Sequence, residues 1–387
     1  MTSYRAYLDY NASAPLLPEA RAAMLAALDR SANPSSVHNE GRNARRIVEE
    51  ARRDVAALVH AKPDHVVFTS GATEAASTLL TPEWRMGRGV VRMSRLYVSA
   101  ADHPCLLNGG RFSADRVSTI GVDANGMCDL AALSVALAAH DRDEGLPLVA
   151  IHLANNETGV IQPVREIAKI VKDVGGILVL DAVQGAGRIP LDISDGSADY
   201  LILSSHKIGG PMGVGAFVAA SDLMMPRPLV TGGGQEKGHR AGTENLAGIA
   251  GFGAAARVAL ESLAHANDIA AMRDRIEATI QSLAPDAQIF GRAATRLANT
   301  TFFAIPGLKA ETAQIGFDLA GVALSAGSAC SSGKVGPSHV LKAMGFDNDG
   351  ALRVSIGRGT TMKDIDLFTT ALSQILARRA GRTTKAA

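Results

Sequence analysis

Tyr200-Leu201-Ile202-Leu203-Ser204-Ser205-His206-Lys207, followed by Gly209-Gly210-Pro211, is a solid apolar run that stops on small polar residues and a lysine. A run of strand length without alternation reads as a strand buried on both faces, the kind found in parallel sheets. Comparable runs flank it at His65–Thr69, Tyr97–Ala100, Leu148–Leu153, Ile177–Asp181 and Val214–Val218, with helical patterns between most of them, notably Val164–Val174. Strands alternating with helical crossovers over about 200 residues predict one large doubly wound α/β domain. Upstream, Pro18–Arg30 reads as a helix with Pro in its first turn, and His38–Val59 as a charged amphipathic helix. Beyond Thr243 come two helices, Asn245–Ala264 and Asn267–Leu283. Shorter strands follow at Thr300–Ala304, Val322–Ser325 and Leu352–Ile356, separated by the helices Lys309–Leu319 and Met362–Ala377. The expected organisation is a large domain at 15–258 and a smaller α+β domain at 259–387, joined by the segment 1–14.

Composition narrows the function. The 387 residues carry 39 Lys plus Arg against 38 Asp plus Glu, a net charge of +1, so no field attracts nucleic acid or an anionic membrane. Aromatics at 4% are too sparse for a base-stacking platform. Cys105, Cys128 and Cys330 are too few for a disulfide framework and imply a reducing compartment. The start lacks the basic-then-apolar grammar of a signal peptide. No apolar run is read as approaching the ~18 residues of a membrane helix. A cytoplasmic protein with no membrane or nucleic-acid partner and no metal site is expected.

Chemistry concentrates at strand ends, where α/β folds place ligands. Lys207 follows one such end and Asp181 closes another, with Gln184 three residues on. An acid and an amide so spaced can address two atoms of one flat ring, the acid on a pyridinium N–H and the amide on a phenolic oxygen. That is the support a pyridoxal phosphate attached to a lysine needs. Thr69-Ser70-Gly71-Ala72-Thr73-Glu74 ends a strand and opens a helix, so its backbone N–H groups suit the phosphate, with Ser204 and His206 nearby. His103 follows another strand end, where an imidazole can stack on the ring. Cys330 lies among Ser and Gly rather than aliphatic residues, whereas Cys105 and Cys128 read as small buried hydrophobes.

These segments resemble the signatures of class V pyridoxal-phosphate enzymes, and more narrowly NifS/IscS-type cysteine desulfurases. The likeness rests on Ser205-His206-Lys207, Asp181-Ala182-Val183-Gln184, Ser70-Gly71-Ala72-Thr73-Glu74 and Arg240-Ala241-Gly242-Thr243-Glu244-Asn245. Leu8-Asp9-Tyr10-Asn11, Asn33-Pro34-Ser35-Ser36, Asn155-Asn156-Glu157-Thr158-Gly159 and Ser325-Ala326-Gly327-Ser328-Ala329-Cys330 complete it. Similarity runs from about Leu8 to Thr361, departing at Gly359, where the family usually carries Phe, and at Ala76-Ser77.

The resemblance implies the pyridoxal-phosphate fold type I, a mostly parallel seven-stranded sheet flanked by helices plus a smaller α+β domain, assembled as a homodimer. It implies conversion of L-cysteine to L-alanine with the sulfur left as a persulfide, for Fe–S cluster or other sulfur-cofactor synthesis. Lys207, Cys330 and His103 take the catalytic roles. Gly71, Ala72, Thr73, His103, Asp181, Gln184, Ser204, His206 and Lys207 bind cofactor, and Thr243 reaches the neighbouring subunit's phosphate. Asn11, Asn155 and Arg353 hold substrate, and a sulfur-acceptor protein such as an Fe–S scaffold is the expected partner. Selenocysteine lyase, another class V aminotransferase and a non-catalytic assembly scaffold are the alternatives.

Overall fold

A computed structural model describes residues 4–30, 32–327, 338–346 and 350–383. Its main sheet has nine strands. Seven run in the order Val66–Thr69, Gly215–Ala219, Tyr200–Ser204, Ile177–Asp181, Leu146–His152, Gly89–Ser99 and Val117–Ile120. Only Gly215–Ala219 is antiparallel to its neighbours within this set. The long strand Gly89–Ser99 continues past this group and pairs with Glu83–Met86, which pairs in turn with Met224–Pro226. The mostly parallel seven-stranded sheet is therefore present, extended by a small antiparallel flap.

Period-two burial explains why the central strands read as unbroken apolar runs. Val149, Ile151, Leu178, Leu180, Leu201 and Leu203 face one core, packed against the helices Asn39–Leu58, Val164–Asp173 and Leu246–Ser262. Their neighbours Leu148, Ala150, Val179 and Ile202 face a second core with Ala75, Leu79 and Trp84. Both faces are thus covered, as crossovers on either side of a parallel sheet require.

A second sheet, in the order Gln288–Ile289, Thr300–Ala304, Leu352–Ser355 and Ser325–Ala326, is antiparallel throughout. Its core joins Phe303, Phe317 and Phe368 to Ala6 and Leu8 from the N-terminal segment. That segment lies parallel to Val322–Ala323 through Ala6–Tyr7 and then reaches the large sheet, where the N–H groups of Ala14 and Leu17 bond the carbonyls of His206 and Gly209. Residues 9–13 consequently pass between the two sheets. The helix Leu246–Ser262 runs unbroken through residue 258 and turns at Leu263–His265 into Ala266–Leu283.

Against the expectation from sequence, one stretch, Leu246–Leu283, is long and apolar enough by composition to cross a membrane. Ile249, Phe252, Ala255 and Ala256 are buried within it, and Phe252 meets Phe68 edge-on at 6.2 Å. It is a core element of this fold, small residues letting it lie close to its neighbours: a Cβ on Gly253 would fall 2.6 Å from the Ala51 Cα.

Candidate active site

Five loops leave the carboxyl edge of the large sheet and converge. Ser70–Glu74, His103, His152–Asn156, Asp181–Gln184 and Ser204–Lys207 contribute to one cavity of about 580 Å³, closed on another side by Asn11, Ala12, Ser13 and Arg353. Lys207 ends a 3₁₀ turn, Ser205–Lys207, directly after its strand. The turn is tight: a Cβ on Gly210 would lie 2.1 Å from Ser205 Oγ. The ammonium points across the cavity and donates to the backbone carbonyls of Asn11 at 2.6 Å and Ala12 at 2.9 Å.

Asp181 is buried at its strand end, with one oxygen accepting the Val183 N–H at 3.0 Å. It makes no ion pair among the described residues, and burial pushes its carboxyl pKa up. His103 caps the short helix Pro104–Leu107, its Nδ1 accepting the Cys105 N–H at 3.2 Å. Burial lowers its pKa, against the pull of Asp181. With Nδ1 engaged as an acceptor, Nε2 is the atom left to exchange a proton. The Gln184 amide is fixed at both ends: Nε2 donates to the Asn11 carbonyl at 3.0 Å, and Oε1 receives the Arg188 guanidinium.

The turn Ser70–Glu74 opens the helix Ala72–Leu79 onto the cavity. The first N–H groups of a helix have no carbonyl four residues back, so Ala72 and Thr73 present donors there. Gly215 permits the approach, since a Cβ on it would fall 2.7 Å from the Gly71 Cα. Ser204 and His206 line the same end, His206 Nδ1 lying 3.2 Å from Ser13 Oγ. Burial, with the Lys207 charge adding, lowers the His206 pKa to about 4, which keeps the ring neutral. Thr243 is not on this cavity. It is exposed and borders a smaller one of about 230 Å³ that shares Ser70, Gly213 and Val214 with the first.

The opposite wall comes from far along the chain. Arg353, buried in Leu352–Ser355, donates to Asp9 Oδ1 at 2.8 Å and to the Asn156 carbonyl at 2.9 Å, while its Nε has no partner among the described residues. Asn11 lines the cavity, but its side chain is spent on Asn156, Thr300 and Asn299. Asn155 does not line the cavity, contrary to the expected substrate contact. Its Nδ2 donates to the Ala101 carbonyl at 2.9 Å and its Oδ1 accepts the N–H groups of Glu157 and Thr158, so it shapes the loop. Cys330 lies outside the described residues. Near the flanks of its segment, the Ser338 hydroxyl donates to Glu157 Oε2 at 2.5 Å. Burial raises the Glu157 pKa to about 7.

A family model described as aminotransferase class-V matches residues 6–368. The chain belongs to that family. A curated protein from Frankia sp. (strain EuIK1), named cysteine desulfurase, is 41% identical over 385 residues, covering 93% of this chain and 88% of that protein. One of the same name from Trichormus azollae is 37% identical, covering 96% and 93%. Among solved structures, the NifS-like protein from Rickettsia africae ESF-5 superposes with a TM-score of 0.87 at 31% identity, covering 97% of this chain and 100% of that one. The likeness to NifS-like cysteine desulfurases seen in the motifs is borne out.

Class-V aminotransferases are pyridoxal-phosphate enzymes, and the residues present fit that group. A buried carboxylate without an ion pair among the described residues suits a pyridinium N–H. The helix start at Ala72 suits a phosphate. Gln184 retains a second amide hydrogen beyond its bond to Asn11. The departure at Gly359 also has a local reason: a Cβ there would meet the Tyr10 hydroxyl at 2.9 Å. Arg188, which bonds Gln184 four residues back, lies outside every quoted motif. Asp9, Arg240 and Glu157 shape the site yet escape motif reading, because their partners lie elsewhere in the chain. The one signal for them is position, since Asp9, Arg240 and Glu157 each sit inside a quoted motif.

Proposed function

We propose that this chain is a pyridoxal-phosphate-dependent cysteine desulfurase, converting L-cysteine and an enzyme thiol into L-alanine and an enzyme persulfide. The observation that carries this reading is the meeting of Lys207, Asp181, Gln184, His103 and the Ser70–Glu74 turn in one cavity whose far wall is Arg353. Lys207 takes the cofactor covalently, Asp181 its ring nitrogen and Gln184 its phenolic oxygen. Gly71, Ala72, Thr73, Ser204 and His206 take its phosphate. When bound, the ring supplies a sink for the electron pair left as the substrate Cα–H bond breaks.

The chain's own groups supply the rest. Arg353 offers a planar fork to the substrate carboxylate from the far wall of the cavity. The Asn11 and Ala12 carbonyls hold the Lys207 amine over the cavity, and His103 moves protons through Nε2. Cys330 receives the sulfur, a role carried over by resemblance. Thr243, exposed and off this chain's own cavity, serves the partner's phosphate in a homodimer. A sulfur-acceptor protein such as an Fe–S scaffold then takes the persulfide sulfur. The free thiols Cys105 and Cys128 suit a cytoplasmic setting. Two domains follow the two sheets, with their joint drawn at the Leu263–His265 turn rather than at residue 258.

The test is Cys330→Ala, with alanine formation and persulfide read by peptide mass. The variant retains cofactor and binds L-cysteine, yet forms no persulfide and almost no alanine. Wild-type turnover of L-cysteine by the variant overturns the desulfurase assignment in favour of a lyase or aminotransferase.

A further inference from the structure

We propose that Arg240 is a positioning residue for the phosphate cradle, neutralising Glu74 so that the helix start at Ala72 can hold a phosphate dianion. The inference rests on the reading of Ser70–Glu74 as that cradle. Glu74 stands in the first turn of Ala72–Leu79, borders the main cavity and turns back to accept the Ser70 N–H at 2.8 Å. Such a carboxylate suits the helix itself. It has the wrong sign for an anion bound at the same end, and it occupies a backbone donor the anion could use.

Arg240 answers that charge from the loop before Thr243. Its Nε lies 2.9 Å from Glu74 Oε1 and its Nη2 3.4 Å from Oε2. The Glu74 side chain is only 11% exposed and that of Arg240 26%, so salt screens the pair weakly. Burial alone pushes the Glu74 carboxyl pKa up, but the bonds from Arg240 and Ser70 bring it below its ordinary value, and the acid stays ionised. Its charge must therefore be balanced rather than titrated away.

A second observation is the way the loop is anchored. Glu236 and Lys237 adopt φ of 46° and 55°, a region costly for residues with a side chain. Buried Arg52 holds Glu236 through two bonds, at 2.7 and 2.8 Å, and the Phe68 N–H donates to the same carboxylate at 2.9 Å. Phe68 belongs to the strand whose next residues are Thr69 and Ser70. The strained turn that carries Arg240 is thus fixed to the strand that ends in the cradle.

The test uses the full-length protein stripped of cofactor and titrated with pyridoxal phosphate and with pyridoxal, which lacks the phosphate. Arg240→Met weakens pyridoxal phosphate by about tenfold or more, the scale of exposing an unbalanced buried charge, and leaves pyridoxal unchanged. Glu74→Gln, which keeps an acceptor for Ser70, binds pyridoxal phosphate at least as tightly as wild type. The double variant recovers to within about threefold of wild type, because the charge Arg240 balances is gone. Equal weakening of both ligands by Arg240→Met, no recovery in the double variant, or weaker binding by Glu74→Gln overturns the proposal. Glu74→Gln alone remains decisive should Arg240→Met fail to fold. If wild type itself binds pyridoxal phosphate no better than pyridoxal, the cradle reading falls instead.

Discussion

The two walls of the cavity are built by opposite means. On the large-sheet side, Asp181 ends a strand and Lys207 and His103 each follow one within four residues, so the strand fixes where each side chain starts. On the other side, Arg353 is aimed by Asp9, 344 residues away in sequence, and by the Asn156 carbonyl. One wall is rigid because parallel strands hold it. The other depends on ties between the N-terminal segment, the Asn155–Gly159 loop and the small sheet. On the proposed function, chemistry that tolerates no displacement falls to the first wall, and selection of the substrate carboxylate to the second.

The comparison breaks first at Lys207. Lys207→Ala removes the proposed covalent anchor, and alanine formation from L-cysteine is expected to fall by at least about a thousandfold. Borohydride treatment followed by peptide mass finds no cofactor fixed to the chain. Cofactor still fixed to another lysine in the variant moves the reactive position off this wall.

Strand-end residues are legible in sequence because the rule behind them is local. A buried apolar run, its last residue and the next three positions suffice to nominate Asp181, Gln184 and Lys207, and the central strands and long helices follow from the same periodicities. The flap strand Glu83–Met86 is not legible that way: three of its four residues are exposed, and its pairing partner Met224–Pro226 lies far along the chain. Val117–Ile120 is an edge strand with one buried residue, which leaves no apolar run to read. The second wall is harder still. No period or spacing in Leu8-Asp9-Tyr10-Asn11 announces that Asp9 pairs with Arg353, or that the Asn11 backbone carbonyl, rather than its amide, meets both Lys207 and Gln184. Asn155 shows the converse, a motif residue whose oxygen shapes its own loop and whose amide ties that loop to the Ala101 carbonyl.

Arg353 gives the next largest effect. Arg353→Lys keeps the charge and loses the fork, so kcat/KM for L-cysteine drops about 10- to 100-fold, mostly through KM, with cofactor binding unchanged. A loss confined to kcat would place Arg353 in the chemistry of the first wall. Asp9→Asn retains an acceptor oxygen toward the guanidinium while removing its countercharge. A smaller rise in KM, about threefold to tenfold, is expected. A KM equal to wild type would show that Asp9 does not aim Arg353.

The smallest effect concerns stability and separates the walls by pH. Glu157 lies in the loop that bonds Arg353, is almost fully buried, and accepts from Ser338 at the start of the helix His339–Ala343. Its burial, opposed by Ser338 and the Arg353 charge, raises the pKa from its ordinary 4.5 to about 7. Between those two values the folded chain keeps a proton that the unfolded chain has released. Its contribution to stability is fully present below the lower value, declines as pH rises through the window, and is level above it. Glu157→Gln cannot ionise and still accepts the Ser338 hydroxyl through its amide oxygen. Denaturant melts at pH 5 should therefore give the variant and wild type similar stabilities. At pH 8 the variant should be more stable by about 1–3 kcal/mol, since only wild type must then bury a charge. Asp181→Asn serves as the contrast, because on the proposed reading that carboxylate holds the cofactor ring and the substitution is expected to cost cofactor binding. A Glu157→Gln difference that is flat from pH 5 to 8 would mean that Glu157 stays ionised, with Arg353 rather than burial deciding its state.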